Sequence, residues 1–170
     1  MDFCSTAEDA YEESIPYFRK AIEKQTWKNP NPYHGECYYN LGLALHMTGQ
    51  DNEAFDAFYK ATWSYENQSS GYYWLACLSC RKGDYQAALE FIEQSMIRNW
   101  HNMKARTLKA AILRALNKDT VLLLSESADI DPLDMGIRYE KVLASGDMAG
   151  WKQAMRQPAH NYLELSLDYM

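Results

Sequence analysis

Residues 35–68 read GECYYNLGLALHMTGQDNEAFDAFYKATWSYENQ, and residues 69–102 read SSGYYWLACLSCRKGDYQAALEFIEQSMIRNWHN. The two segments are equal in length and align without a gap, so the second begins where the first ends. The identical pairs are Tyr38/Tyr72, Tyr39/Tyr73, Leu41/Leu75, Gly49/Gly83 and Ala54/Ala88. These are the residues that a helix-turn-helix unit needs: apolar side chains at helical spacing, a glycine in the turn and a small residue where two helices cross. The pair of segments predicts an all-α repeat protein. This pattern favours an interaction scaffold over an enzyme.

The composition is that of a folded domain. The chain has 170 residues, of which 47% are hydrophobic and 24% charged, enough to bury a core as one domain. The formal net charge of −6 argues against nucleic-acid binding, because neutralising phosphates requires a basic surface. With 13 Tyr and 5 Trp against 5 Phe, most aromatic rings carry a polar edge suited to half-buried positions or to a binding face.

The sequence predicts neither a membrane span nor an export signal. No apolar run approaches the roughly 20 residues that span a bilayer, and the acidic N-terminus, MDFCSTAEDAYEE, lacks the pattern of a signal peptide. We expect a cytoplasmic protein with no membrane partner. The cysteines Cys4, Cys37, Cys77 and Cys80 are too few for a disulfide framework and are expected to be free thiols.

A helix is predicted before the repeats, at residues 6–25, with acidic residues in its first turns. Pro16 lies inside this pattern, so either the helix kinks there or a shorter helix begins near Ser14. The two Asn-Pro steps of residues 29–32 then predict a connector, because each proline disfavours helix at the residue before it.

Two helical hairpins follow the connector. Their predicted helices are 35–47 and 51–65 in the first hairpin, and 70–81 and 84–98 in the second. Gly49 and Gly83 provide the two turns. An aspartate at the start of each returning helix, Asp51 or Asp84, is expected to cap it.

A third unit, residues 103–132, departs from the pattern. Arg106 and Lys109 stand where the first two units have tyrosine and leucine. Its turn is Asn117-Lys118, and its second helix, at about residues 120–128, is expected to arrive about two residues early.

The C-terminal part is less regular. Residues 133–156 predict an irregular helix pair, and residues 159–170 predict the truncated first helix of a further unit. That helix has Tyr162, Leu165 and Tyr169 at helical spacing. Because solenoids usually end in polar capping helices, this apolar helix indicates either a longer protein or self-association through the helix.

The two complete units resemble the tetratricopeptide repeat family. That family places a bulky residue, Leu and a small residue in the first helix, and Ala, an aromatic residue and Ala in the second. The residues at these places are Tyr38, Leu41, Gly42, Ala54, Phe58 and Ala61 in the first unit, and Tyr72, Leu75, Ala76, Ala88, Ile92 and Ser95 in the second. The resemblance implies a right-handed all-α solenoid of antiparallel helix pairs over residues 1–170. Residues 6–25 would be equivalent to the second helix of a repeat that lacks its first helix.

A narrower resemblance implies an alternative. The stretches NPNPYHGECYYNLGLAL, AFYKATWSY and DPLD resemble the repeat region of large bacterial proteins that also carry a β-rich domain, suspected to be carbohydrate-related. In that case the chain would be an accessory segment of a larger enzyme and would pack on its own β-rich domain.

The family resemblance also implies a binding face. In this family the first helices line a concave face that holds partner peptides. The residues implied for that face are Tyr39, Leu43, His46, Tyr73, Cys77, Arg81, Lys104, Thr107 and Arg114. Tyrosines and basic residues can hold a peptide backbone and acidic groups, so the expected partner is a protein or peptide, with an acidic peptide as one option. The alternative is that Tyr39 and Tyr73 pack between neighbouring repeats.

Other chemistries have weaker support. Residues 103–118 contain five basic and no acidic residues, a pattern that indicates either a solvated face or an anion site. Cys77 and Cys80, with His46 as a third ligand, fall short of the four ligands of a structural zinc site. The sequence has no hydrolase elbow and no phosphate-binding loop. We expect no cofactor, no metal and no catalytic site.

Overall fold

The computed structural model of the chain describes residues 3–29 and 34–154, together with Leu163 and Ser166. These residues form helices and turns, with no strand among them. The helices are α1 (Phe3–Thr26), α2 (Glu36–Met47), α3 (Asp51–Ala61), α4 (Gln68–Arg81), α5 (Tyr85–Arg98), α6 (Met103–Ala115), α7 (Val121–Ile130), α8 (Met135–Ser145) and α9 (Met148–Ala154). The predicted all-α class is confirmed.

The chain divides into two compact units, residues 1–98 and residues 99–170. The first unit contains α1 to α5, and the second contains α6 to α9. The single repeat domain expected over residues 1–170 stays a prediction.

In the first unit, α1 packs against the first repeat. Ile15 is buried with Leu41 and Leu45 of α2, and the half-buried Phe18 and Ile22 pack on the same core. The helical spacing of these apolar residues along α1 is what buries one side of it. The helix continues through Pro16, so the alternative of a shorter helix that begins near Ser14 is wrong.

The turns of the two repeats have the same backbone conformation at aligned positions. Gly49 and Gly83, which align between the two repeats, have φ values of 75° and 77°, a left-handed conformation in which glycine has no steric cost. In the second unit, Asn117 occupies the next aligned position and has a φ of 54°. Asparagine tolerates this conformation better than most residues. The turn of the third repeat therefore keeps the 34-residue spacing of the left-handed turn residue.

The core of the repeats depends on close contact between the helices of each pair. A Cβ on Gly42 would lie 2.7 Å from Cδ1 of Phe58, which is fully buried. The small residue of α2 therefore lets the aromatic ring of α3 reach the helix backbone. In the second repeat, Ser95 is fully buried, and its hydroxyl donates to the carbonyl oxygen of Ser69 over 2.8 Å.

The first returning helix is shorter than predicted. α3 ends at Ala61 instead of residue 65. The next amides, of Trp63 and Ser64, bond three residues back to Lys60 and Ala61, which tightens the backbone out of the α-helical pattern. A 3₁₀ turn at Tyr65–Asn67 then leads directly into α4.

In residues 99–170, α6 keeps the repeat register of a first helix, whereas α7 is shifted from the register of a second helix. α6 ends at Ala115, which aligns with Arg81 at the end of α4. α7 begins at Val121, whereas the residue that aligns with Tyr85 at the start of α5 is Asp119. The helix therefore starts late, and the early arrival expected from the sequence is wrong. The Asp119 carboxylate accepts the amide of Val121 over 2.9 Å, which holds the start of the helix at this place.

Several sequence-based predictions fall outside the described residues. They include the connector prolines, the residues from 155 to 162 and most of the final helix predicted at 159–170. Self-association through that helix stays a prediction.

Candidate functional site

Tyr39 and Trp74 join the first helices of the two repeats, α2 and α4. The indole Nε1 of Trp74 donates to the Tyr39 hydroxyl over 3.2 Å. The Trp74 ring stacks on Phe58 with centroids 5.7 Å apart and an interplanar angle of 8°, and Tyr39 contacts Phe58 at 5.8 Å. Tyr39 and Leu43 are half-buried and pack against the core of the first unit. Packing between repeats is therefore one role of Tyr39, as the alternative interpretation held.

A polar cluster lies at the C-terminal ends of the same helices. Nδ1 of His46 is 2.9 Å from Oδ1 of Asp51, and Nη1 of Arg81 is 3.5 Å from Oδ2 of the same carboxylate. Because a carboxylate only accepts hydrogen bonds, His46 carries a hydrogen on Nδ1. The side chain of Arg81 is 49% exposed and that of His46 is 11% exposed, so Arg81 is the accessible member.

This cluster corrects the role expected for Asp51. α3 has Gln50 at its N-cap position, with no side-chain capping hydrogen bond. The Asp51 carboxylate instead bonds His46 and Arg81 and so ties the first repeat to the second. Asp84 does cap α5, because its Oδ1 accepts the Ala87 amide over 3.0 Å.

Cys77 lies on α4 one turn after Tyr73. Burial raises the pKa of the Cys77 thiol to about 12, while a hydrogen bond from Tyr73 lowers it. Burial also raises the pKa of Cys80 to about 11. Both thiols stay protonated at neutral pH, and a thiol must be deprotonated to act as a nucleophile or as a metal ligand. Within the described part of the chain, no group of three or more His, Cys, Asp or Glu side chains is placed to hold a metal ion.

The remaining predicted face residues lie on α6, in the second unit. Thr107 is buried, and a Cβ on Gly136 of α8 would lie 2.7 Å from its Cγ2. Arg114 donates from Nε and Nη2 to the two oxygens of Glu140 over 2.9 and 3.1 Å. Lys104 is exposed. Thr107 and Arg114 thus serve the packing of α6 on α8.

Arg106 explains why the third unit departs from the repeat. It occupies the position of Tyr38 and Tyr72 and is fully buried. Its Nε donates to the Ser127 hydroxyl over 2.7 Å. The other two guanidinium nitrogens reach the Trp100 carbonyl oxygen at 3.2 Å and Glu126 at 3.3 Å. The guanidinium also lies 4.5 Å from the centre of the Trp100 ring. Part of the basic run of residues 103–118 is therefore structural.

Three exposed aromatic residues follow α1 and α3 and were not predicted from the sequence. Trp27, Trp63 and Tyr65 are 81%, 53% and 79% exposed. Each has a cation near its ring centre: Lys28 at 5.3 Å, Lys60 at 3.8 Å and Arg98 at 5.6 Å. Their signal in the sequence was their position, since all three fall where one repeat ends and the next begins.

Comparison with known proteins agrees with this architecture, although no protein-family model matches the sequence. The chain is similar to the crystal structure of YrrB, described as a TPR protein with an unusual peptide-binding site, with a TM-score of 0.64 and 18% identity over 80% of this chain and 68% of that chain. It is also similar to the crystal structure of MamA, with a TM-score of 0.70 and 17% identity over 99% of this chain and 95% of that chain. On structural grounds, the chain therefore has the fold of a tetratricopeptide-repeat protein.

Across the described residues, every helix is too short or too polar to cross a membrane.

Proposed function

We propose that this protein is a non-catalytic scaffold that binds an extended segment of a partner protein on its α2/α4 face. This face is defined by Tyr39, Leu43, His46, Tyr73, Cys77 and Arg81. The observation that carries the proposal is that contacts among α2, α3 and α4 hold three of these side chains in place: Trp74 bonds Tyr39 and contacts the ring of His46, and Arg81 pairs with Asp51 of α3. A preorganised face loses less conformational entropy when it binds a peptide.

Two groups on the face have hydrogen-bonding capacity left for a ligand. The Tyr39 hydroxyl accepts from Trp74, and its own O–H can still donate to a peptide carbonyl. Arg81 directs one nitrogen towards Asp51 and is half exposed, while a guanidinium has five N–H donors. A carboxylate of the partner can therefore bind Arg81, which favours an acidic residue at that place.

The proposed face stops at residue 98. Thr107 is buried against Gly136, and Arg114 binds Glu140, so both have partners within residues 99–170. The fold of YrrB supports the choice of a peptide as partner, since that protein is described as having a peptide-binding site.

Selection of random peptides against the full 170-residue chain tests this proposal, followed by backbone amide chemical-shift mapping of a selected peptide. The expected result is enrichment of peptides with acidic residues, with the largest shifts on α2 and α4. Enrichment of none, or shifts confined to other helices, would contradict the proposal. If none binds and substitutions on the face destabilise only a longer natural protein, the accessory-segment alternative is favoured.

A further inference from the structure

An open cleft lies between the last three helices of the second unit. It has a volume of about 740 Å³, within the range of roughly 300–1,000 Å³ typical of small-molecule sites. Each helix contributes one side, because the lining residues follow helical spacing. They are Val121, Leu124 and Ser125 of α7, Arg138, Lys141, Val142, Ala144 and Ser145 of α8, and Asp147, Gly150 and Trp151 at α9.

Trp151 lines the cleft with a largely buried ring. Its side chain is 4% exposed, and its ring contacts Tyr139 with centroids 5.6 Å apart. Its Nε1 is buried and has no hydrogen-bond partner among the described residues. Because this nitrogen is buried, Trp151 contributes part of its ring, and not its N–H, to the wall of the cleft.

The cleft also holds two cations and one engaged carboxylate. Neither Arg138 nor Lys141 has an ion-pair partner in the described part of the chain, and the polar contact of Arg138 is with the sulfur of Met135 at 4.0 Å. The Asp147 carboxylate accepts the Gly150 amide over 2.9 Å, which fixes it at the start of α9. The charge of the cleft therefore favours an anion.

We propose that this cleft binds a small carboxylate with an apolar body. The carboxylate pairs with Arg138 and Lys141, because a guanidinium and an ammonium both favour a carboxylate as partner. The apolar body lies against Leu124, Val142 and the Trp151 ring. This site is independent of the α2/α4 face, so either proposal can fail without the other.

Calorimetric titration of the full chain with octanoate tests the site. Octanoate is expected to bind saturably with one site per chain. Arg138→Gln and Lys141→Gln remove one cation each, and Trp151→Phe replaces the indole ring of the cleft wall by a smaller ring. Each variant is expected to weaken binding about tenfold. Lys152→Gln removes an equal charge from an exposed residue of α9 that does not line the cleft, and it should leave binding unchanged.

Two chemical controls separate charge from apolarity. Octanol has the same chain without the carboxylate, and octylamine reverses the charge, so both are expected to bind at least about tenfold more weakly than octanoate. The proposal is overturned if octanoate does not bind the full chain. It is equally overturned if octanol binds as well as octanoate, or if Arg138→Gln and Lys141→Gln change nothing. The two α8 variants keep the test decisive if Trp151→Phe fails to fold.

Discussion

Trp74 donates its indole N–H to the hydroxyl of Tyr39 over 3.2 Å, which links the first helices of two successive repeats by a side-chain hydrogen bond. Both rings also contact Phe58, a fully buried residue of the helix between them. Tyr39 therefore contributes to stability and to the proposed binding face at once.

Tyr39→Phe is expected to lower the free energy of unfolding by about 1 kcal/mol, because the half-buried Trp74 N–H loses its acceptor. Urea denaturation followed by circular dichroism measures this. Tyr65→Phe is the matched control, since Tyr65 is 79% exposed, and it should change stability by less than about 0.5 kcal/mol. Equal effects of the two substitutions would show that the hydrogen bond does not stabilise the fold.

Gly42→Ala is expected to destabilise the protein by about 1–3 kcal/mol, because the added Cβ would overlap the ring of Phe58, which cannot move outwards from the core. Helix propensity alone predicts the opposite, a gain of about 1 kcal/mol. The sign of the change in thermal or urea stability therefore decides between packing and propensity.

The control for this substitution is Gly49→Asn. Gly49 has a φ of 75° and open space around its Cβ position, and asparagine tolerates that conformation. A change of only a few tenths of a kcal/mol is expected there.

Arg106→Ala is expected to destabilise the chain by at least about 2 kcal/mol, because it empties a fully buried site and removes the bond to Ser127. The ion pair with Glu126 contributes little of this, since that side chain is 44% exposed. Lys118→Ala, at an exposed basic residue of the same run, is the control and should change stability by less than about 0.5 kcal/mol. Similar losses in both variants would contradict the structural role of Arg106.

Cys77 is expected to react much more slowly with iodoacetamide at pH 8 in the native chain than in the unfolded chain, because burial raises its thiol pKa from 9.0 to about 12. Peptide mass spectrometry of the labelled chain reads the rate at this residue. The raised pKa also sets a direction for stability: the unfolded state releases the proton first, so stability falls as the pH rises from about 9 towards 12. Rapid native labelling at pH 8 would contradict the burial of this thiol.

The repeat pattern predicted most of the helices because the residues that recur are those that fix a helical hairpin. Gly49 and Gly83 place the turns, and α4 and α5 lie within two residues of the helices predicted at 70–81 and 84–98. These features depend on short-range geometry, which a sequence carries directly.

The errors arose where tertiary contacts outweigh local preference. Asp51 has the chemistry of a helix cap, but its carboxylate binds His46 and Arg81, and Arg81 comes from the next repeat. Arg106 replaces the tyrosine of the first two repeats, and its side chain is fully buried. Its partners Ser127 and Glu126 lie on the following helix, α7, far along the chain, so no local pattern could pair them.

The candidate site was predicted only in part for the same reason. Of the expected face residues, His46 and Arg81 both contact Asp51, and Tyr39 bonds Trp74 of α4. On α6, Thr107 and Arg114 contact Gly136 and Glu140 of α8, contacts that the repeat pattern does not encode, and Lys104 is exposed. Whether the α2/α4 face binds a peptide stays a proposal.

The affinity of a selected peptide for matched variants of the full chain tests the central claim most directly. Fluorescence polarisation with Arg81→Gln and Tyr73→Phe, both on the face, is compared with Arg98→Gln and Tyr65→Phe, both exposed residues away from it. Circular dichroism confirms that each variant is folded. We predict that Arg81→Gln weakens binding about tenfold or more and that the two distant variants bind like the unmodified chain. Undiminished binding by Arg81→Gln and Tyr73→Phe, or a loss confined to Arg98→Gln and Tyr65→Phe, would contradict the account.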